Sequence, residues 1–249
     1  MQKLKILFFV SIVFLVGWGS TGCKDKQTFR MVNTELGTSY FPLSIGKYIT
    51  YSVDSVFYSE NFPPDTVSLQ VREEITDTLT DNQGERTYRI ERMERSTPAA
   101  PWTVAQVLVV KRTAMQAQRI ENNQRFISLT LPPGRNAVWE GIGFNSDSLL
   151  ISVRGEVIEI FKDWESQYET LFEPITLNGF DFDSTLVVTH ANSENFIELR
   201  VNREIYAKDV GLVYKEMSIL DTQQATSIRT WPDDAEKGFT LVQTVIDFN

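Results

Sequence analysis

The chain has 249 residues, and its 33 Asp and Glu outnumber its 24 Lys and Arg, which gives a net charge of −9 at neutral pH. An acidic chain repels nucleic-acid phosphates and anionic lipid surfaces, so a nucleic-acid partner is not expected. The single cysteine excludes an internal disulfide or a multi-thiolate metal site, so the packing of apolar and aromatic residues has to stabilise the fold.

The first 22 residues have the pattern of a secretory signal peptide. Lys3 and Lys5 precede a mainly apolar run over residues 6–16, and mostly small residues follow it up to Gly22. The run is shorter than the roughly 20 apolar residues that span a bilayer, but its length and basic start are typical of a signal sequence. We therefore predict that residues 1–22 are a signal peptide.

Gly22-Cys23 resembles the lipobox of bacterial lipoproteins, in which the signal is cut before the cysteine and the cysteine is acylated. That family prefers an aliphatic residue three places before the cysteine, where this chain has Ser20. The resemblance implies that Cys23 carries fatty acids such as palmitate and anchors the protein to the outer membrane. Several acyl chains are needed, because a single chain binds membranes only marginally. The alternatives are a secreted protein cut after Gly19 or Gly22, or an uncleaved anchor.

Residues 23–38 are expected to form the lipidated cysteine and a flexible tether. The sequence Lys24-Asp25-Lys26 loosely resembles the signal that directs Bacteroidetes-type lipoproteins to the cell surface, and a plain hydrophilic linker is the alternative. The periplasmic and the surface-exposed side of the membrane therefore both stay open. Residues 39–249 show every-other-residue patterning throughout, which favours one β domain.

Apolar and polar residues alternate along most of this domain, and that period predicts half-buried β-strands. The strands predicted in the first half are residues 49–58, 67–75, 88–92, 102–110 and 126–131. The breaks between them are predicted at Pro63-Pro64, at Asp81 to Gly84 and at Asn122-Asn123.

The second half of the domain has one irregular stretch. Large apolar residues recur there at helical spacing between Asp163 and Phe172, which predicts one short helix with Asp163 as its N-cap and its end at Pro174. Asn178-Gly179 is a strong turn signal. The segments predicted after it are strands at 184–189, 197–205 and 239–248 and a hairpin over 206–216, in which Gly211 allows a left-handed or bulged backbone.

Three short motifs are similar to a group of Gram-negative, Bacteroidetes-type lipoproteins. The motifs are Gly46-Lys47-Tyr48, Asn178-Gly179 with Phe182-Asp183-Ser184, and the hairpin Tyr206-Ala207-Lys208-Asp209-Val210-Gly211-Leu212-Val213. They consist of turn glycines and core residues, so the resemblance implies an all-β body and no catalytic activity.

About ten antiparallel strands with at most one or two short helices must bury one face of a twisted sheet. We predict an all-β fold, a curved antiparallel sheet or half-open barrel, with a β-sandwich as the alternative. A concave sheet lined with aromatic residues could hold an acyl chain or another hydrophobic ligand, although aromatic residues of this kind more often form a core.

Residues able to carry chemistry are few. His190 is the only histidine, no Gly-x-Ser-x-Gly sequence presents a nucleophile, and we expect His190 on the surface at a strand end. A zinc site needs three or four ligands, which one histidine does not supply. Acid pairs could bind Ca²⁺ or act as in glycosidases, but they lack EF-hand spacing and are common on solvent faces. These acids are Asp77 with Asp81, Asp181 with Asp183, and Asp233 with Asp234 and Glu236.

The sequence therefore predicts no catalytic, cofactor or metal site, and lipidation of Cys23 is the one modification that it indicates. The leading hypothesis is a non-enzymatic, lipid-anchored protein that binds or supports an assembly of the cell envelope. The alternative is a carrier of a lipid or another hydrophobic ligand. A hydrolase that uses carboxylate pairs ranks last.

Overall fold

The computed structural model describes residues 36–224 and 230–249. The predicted signal peptide, Cys23 and most of the predicted tether lie outside the described residues. Within the described ranges, no helix is long and apolar enough to cross a membrane.

The described residues form fourteen β-strands and a single turn of 3-10 helix at Thr38–Tyr40. The first seven strands are β1 (Tyr48–Ser59), β2 (Phe62–Thr80), β3 (Arg86–Arg95), β4 (Thr103–Arg112), β5 (Gln116–Glu121), β6 (Gln124–Thr130) and β7 (Val138–Trp139). The last seven are β8 (Leu150–Val153), β9 (Glu156–Glu159), β10 (Ser166–Leu177), β11 (Phe180–Glu194), β12 (Glu198–Ala207), β13 (Gly211–Asp221) and β14 (Lys237–Phe248).

Twelve of these strands form one antiparallel sheet, in the order β6-β5-β4-β3-β2-β1-β14-β13-β12-β11-β10-β7. Strands β8 and β9 form a separate hairpin. The sheet curls so that β6 and β7, at the two ends of this order, lie side by side. The amide of Ile127 donates to the carbonyl of Gly141 (2.7 Å), and Trp139 Nε1 donates to the carbonyl of Ile127 (2.9 Å). The prediction of a curved sheet or half-open barrel is confirmed, and the sandwich alternative is wrong.

The segment before β1 packs against one end of this nearly closed barrel. Tyr40 is fully buried in a core cluster with Trp139 and Tyr168. The guanidinium of Arg112 donates to the carbonyls of Thr38 (2.6 Å) and Phe41 (2.7 Å), which fixes the 3-10 turn in place. The segment before β1 is therefore part of the core at that end of the barrel.

The β8–β9 hairpin lies at the opposite end of the barrel. Arg154 at its turn forms an ion pair of 2.7 Å with Asp65 at the start of β2. The carbonyl of Glu159 accepts a hydrogen bond from Arg200 Nε (3.1 Å), and the carbonyl of Val157 accepts one from Lys237 Nζ (3.4 Å). Side-chain contacts from three sheet strands thus hold this hairpin over the barrel opening.

The predicted helix near residues 163–172 is wrong, because strand β10 occupies most of that stretch. Asp163 has a left-handed φ of 59°, unlike the extended backbone of an N-cap residue. The pairing of β10 with β11 shifts register at three places between Tyr168 and Ile175. These bulges break the period of two and produce an apparent helical spacing. Pro174 is tolerated in β10 because β7 covers only the first two residues of its other edge.

Two further details differ from the predictions, and two agree with them. Strand β5 was not predicted, and β11 runs to Glu194, beyond the strand that was predicted at 184–189. The Asn178-Gly179 turn is confirmed, with φ values of 49° and 82° as in a type I′ hairpin. Gly211 has a φ of 110°, so the bulged hairpin there is also confirmed.

Candidate functional site

The barrel interior contains two neighbouring cavities that share part of their walls. The large cavity has a volume of about 380 Å³, and the small cavity has a volume of about 250 Å³. Ligand pockets usually measure about 300 to 1,000 Å³, so together they are large enough for a small organic molecule. The residues that border both cavities are Arg119, Glu121, Ser128, Glu204, Lys215 and Met217.

The walls of the large cavity are apolar on one side and charged on the other. Its apolar side chains come from β1, β2, β13 and β14, whose inward positions carry Val53, Leu69, Val71, Met217, Phe239 and Leu241. Its charged side chains come mainly from β2, β3 and β5. A cavity with these two surfaces suits a molecule that is itself part apolar and part polar.

Glu73 on β2 lies at the centre of a buried ion cluster. Its carboxylate is 8% exposed and accepts hydrogen bonds from Arg92 (3.0 and 2.8 Å) and from Arg119 (2.9 and 2.6 Å). Glu121 accepts from the same two guanidiniums, at 2.6 and 2.9 Å. Burial alone would raise the pKa of Glu73, but Arg119 and Arg92 outweigh it and hold that pKa far below its usual range. All four groups are therefore charged at neutral pH.

A second cluster surrounds Glu204 on β12. Its Oε1 accepts a hydrogen bond from Lys215 Nζ (2.8 Å), and its Oε2 accepts one from the Tyr206 hydroxyl (2.5 Å). Burial opposes the charged form, but Lys215 and His190 hold the pKa of Glu204 well below its usual value. Burial and the neighbouring Glu204 charge raise the pKa of the Tyr206 hydroxyl, so it remains a donor.

The prediction that His190 lies on the surface is wrong, since only 4% of the residue is exposed. Strand β11 extends past His190, and the imidazole ring of His190 stacks on Trp164 with ring centroids 6.2 Å apart. His190 Nδ1 lies 2.8 Å from Ser166 Oγ, and Nε2 lies 3.1 Å from Glu204 Oε2. These partners are 24 and 14 residues away along the chain, so the sequence contained no local signal for them.

Ser166, His190 and Glu204 have the composition of an acyl-transfer relay, but the serine cannot meet a substrate in this arrangement. Ser166 is 0% exposed. A Cβ atom placed on Gly141 would lie only 2.4 Å from Ser166 Oγ, so the Gly141 backbone covers the hydroxyl closely. A nucleophile needs open space where a reacting carbonyl can approach. The three residues are therefore suited to holding β10, β11 and β12 together.

The acid pairs of the sequence lie at exposed or half-buried positions. Asp181 accepts a hydrogen bond from the Thr176 hydroxyl on the outer surface, and Asp183 is exposed. Asp81 accepts from two backbone amides of its own turn and from Lys111. Among the described residues, no group of three or more His, Cys, Asp or Glu side chains could hold a metal ion.

The charged residues of the interior were missed for two reasons. Glu73 lies between Val71 and Ile75 on the inward face of β2. A charged residue at every-other-residue spacing from apolar ones was therefore a sequence signal for a charge inside the barrel. On β12 it is the polar face, not the apolar one, that borders the cavities. Asn202 and Glu204 face the cavities and are 1% and 6% exposed, although the polar residues on their side of the strand are typical of a solvent-exposed face.

Comparisons with known proteins add little to this geometry. No protein-family model and no curated protein matches the chain. A crystal structure of a candidate lipoprotein from Parabacteroides distasonis is similar over 84% of this chain and 98% of that one, at 10% sequence identity and a TM-score of 0.35. A TM-score of this size does not establish a shared fold.

Proposed function

We propose that this protein is a non-enzymatic binding protein of the cell envelope. In this proposal Cys23 is lipidated and attaches the domain to the outer membrane, and the barrel interior holds a small amphipathic ligand. The two parts rest on different observations, the first on the lipobox-like sequence and the second on the cavities.

The observation that carries the binding role is the large cavity of about 380 Å³, with an ion cluster on one wall and aliphatic and aromatic side chains on the other. A polar group of a ligand can hydrogen-bond beside the cluster while its apolar part lies against residues such as Leu69 and Phe239. The covered position of Ser166 supports binding over hydrolysis. The proposal thus joins the two hypotheses from the sequence, an envelope binding protein and a carrier, in one site.

Labelling with a radioactive fatty acid tests the anchor. Wild-type protein expressed in a Gram-negative host should incorporate the label, and Cys23→Ala should not. Absence of label on the wild type, or equal label on the variant, refutes lipidation at Cys23.

Native mass spectrometry tests the binding role. The protein, extracted from its own cells in mild detergent, should carry a small amphipathic molecule. Met217→Trp adds a large ring at a residue that borders both cavities, so it should abolish co-purification. Val242→Trp adds the same ring at an exposed position of β14 and should retain the molecule. An empty wild-type barrel, or equal occupancy in both variants, refutes the proposal.

A further inference from the structure

We infer that the small cavity receives an uncharged head group that bears hydroxyls, of the size of a monosaccharide ring, while the apolar chain of the same ligand lies in the large cavity. This inference rests on the proposed binding function and names the chemical class of its ligand. Three features of the cavity walls lead to it.

The first feature is that the charges around the small cavity are already paired. Its two cations, Arg119 and Lys215, contact carboxylates at 2.6 to 2.9 Å, and its carboxylates Glu121 and Glu204 accept from them. A charged head group would have to break one of these pairs or remain buried without a counter-ion, and both are unfavourable. Among the charged residues that line the two cavities, Glu94 of the large cavity is the one that forms no ion pair within the described residues, and it would repel an anion.

The second feature is that the unpaired polar atoms in the wall are neutral. Asn202 borders the small cavity and is 1% exposed, and its Oδ1 has no hydrogen-bond partner among the described residues. Trp164 borders the same cavity, and its Nε1 likewise has no partner in the described part of the chain. One atom is an acceptor and the other is a donor, and a hydroxyl can serve both because it donates and accepts. Buried polar atoms are rarely left without a partner, so a ligand that supplies these hydrogen bonds fits the site.

The third feature is a continuous aromatic wall. Phe126, Phe161 and Trp164 border the small cavity, and successive rings have centroids 5.5 and 5.0 Å apart in edge-to-face contacts. Such a wall can pack against the C–H face of a saturated ring, while its hydroxyls point to the polar atoms on other walls. The shared border of the two cavities, which includes Met217, then leads an attached chain into the aliphatic part of the large cavity.

The test compares three probes that share an octyl chain and differ in their head groups, all below their micelle concentrations. Octyl β-D-glucoside is neutral, octyl sulfate is anionic and octyltrimethylammonium is cationic. Isothermal titration of the intact protein should show that the glucoside binds about tenfold or more tightly than either charged probe, since a charged head group in the small cavity would be buried without a partner. Equal or tighter binding of a charged probe overturns the inference but leaves the binding function in place. No binding of any probe counts against the binding function itself.

A pair of variants locates the head group. Asn202→Leu keeps a similar volume and removes the unpaired acceptor, so the glucoside should bind about fivefold more weakly, in line with one lost hydrogen bond. Asn192→Leu makes the same change at an exposed residue of β11 and should bind as the wild type does. Unchanged affinity in folded Asn202→Leu overturns the placement of the head group. The probe comparison uses the wild-type protein, so it decides the head-group class even if this variant does not fold.

Discussion

Replacing Glu73 with Gln should destabilise the barrel more than any exposed ion-pair change does. The carboxylate of Glu73 accepts four hydrogen bonds from Arg92 and Arg119 at 2.6 to 3.0 Å. A glutamine offers one acceptor and turns an amide N–H₂ toward two guanidiniums that keep only Glu121 as a carboxylate partner. Removing one partner of a buried ion pair destabilises proteins by about 3 to 5 kcal/mol. Because the cluster faces a cavity that water can enter, we expect the lower end, about 3 kcal/mol.

The chain contains a matched control for this measurement. Glu169 also accepts two hydrogen bonds from one arginine, Arg203 Nε at 2.7 Å and Nη2 at 3.2 Å, but the pair lies on the outer surface with side chains 46% and 31% exposed. Exposed pairs contribute about 0 to 1 kcal/mol. Urea denaturation at pH 7 should therefore give Glu169→Gln a free energy of unfolding close to that of the wild type. Equal losses for Glu73→Gln and Glu169→Gln would refute the structural role of the buried cluster.

The same variant has a predictable dependence on pH. The pKa of Glu73 is depressed in the folded state, because Arg119 and Arg92 outweigh the effect of burial, so its stabilisation is present above the unfolded pKa of about 4.3. That stabilisation is lost as the pH falls from there toward the folded pKa. The difference in unfolding free energy between wild type and Glu73→Gln should thus be constant from pH 7 to 5 and should shrink below about pH 4. A difference that grows on acidification would contradict this assignment.

Two further predictions concern close packing. Gly141→Ala should destabilise the protein by about 1 to 3 kcal/mol, because the new Cβ would lie 2.4 Å from Ser166 Oγ. Adding Ser166→Ala should recover part of this loss, since the next Ser166 atom is 3.6 Å away. Additive losses of the two substitutions in thermal unfolding would contradict this prediction. Gly238→Ala should lower the melting temperature far more than Gly84→Ala, because a Cβ at residue 238 would lie 2.0 Å from the carbonyl of Ile219, whereas residue 84 has open space. Similar losses in calorimetry would contradict the second prediction.

The strands could be predicted from the sequence wherever the period of two is unbroken. The alternation over residues 49–58 coincides with β1, and that over 239–248 coincides with β14. Prediction failed at β10, because three bulges interrupt the regular alternation of its side chains between the two faces of the sheet. It also failed at β5, a six-residue strand whose polar side chains include the inward Arg119. Periodicity identifies a strand only while pairing is regular and one face is apolar.

The part of the interior site on β12 could not be predicted, because alternation distinguishes two faces of a strand but not which face points inward. The apolar face of β12 includes Ile205, which is buried on the side away from the cavities, where it clusters with Val187 and Phe182 near the end of the β10–β11 hairpin. With that side covered as well, the polar face that carries Asn202 and Glu204 can point into the barrel. The turn of this hairpin has a local sequence signal in Asn178-Gly179, but its packing against the outside is a tertiary feature without one.

The energetic cost of the interior charges bears on the choice between a binding protein and a purely structural one. Moving paired charges out of water is so expensive that well-packed apolar residues of similar volume often stabilise a protein as well or better. A domain that served only as a spacer would gain nothing from placing Glu73, Arg92, Arg119 and Glu204 beside cavities when Leu and Phe could fill the same space. Variants that replace the cluster with apolar residues should separate the two roles. A spacer would keep its function and gain stability, whereas a binding protein would gain stability and lose its ligand.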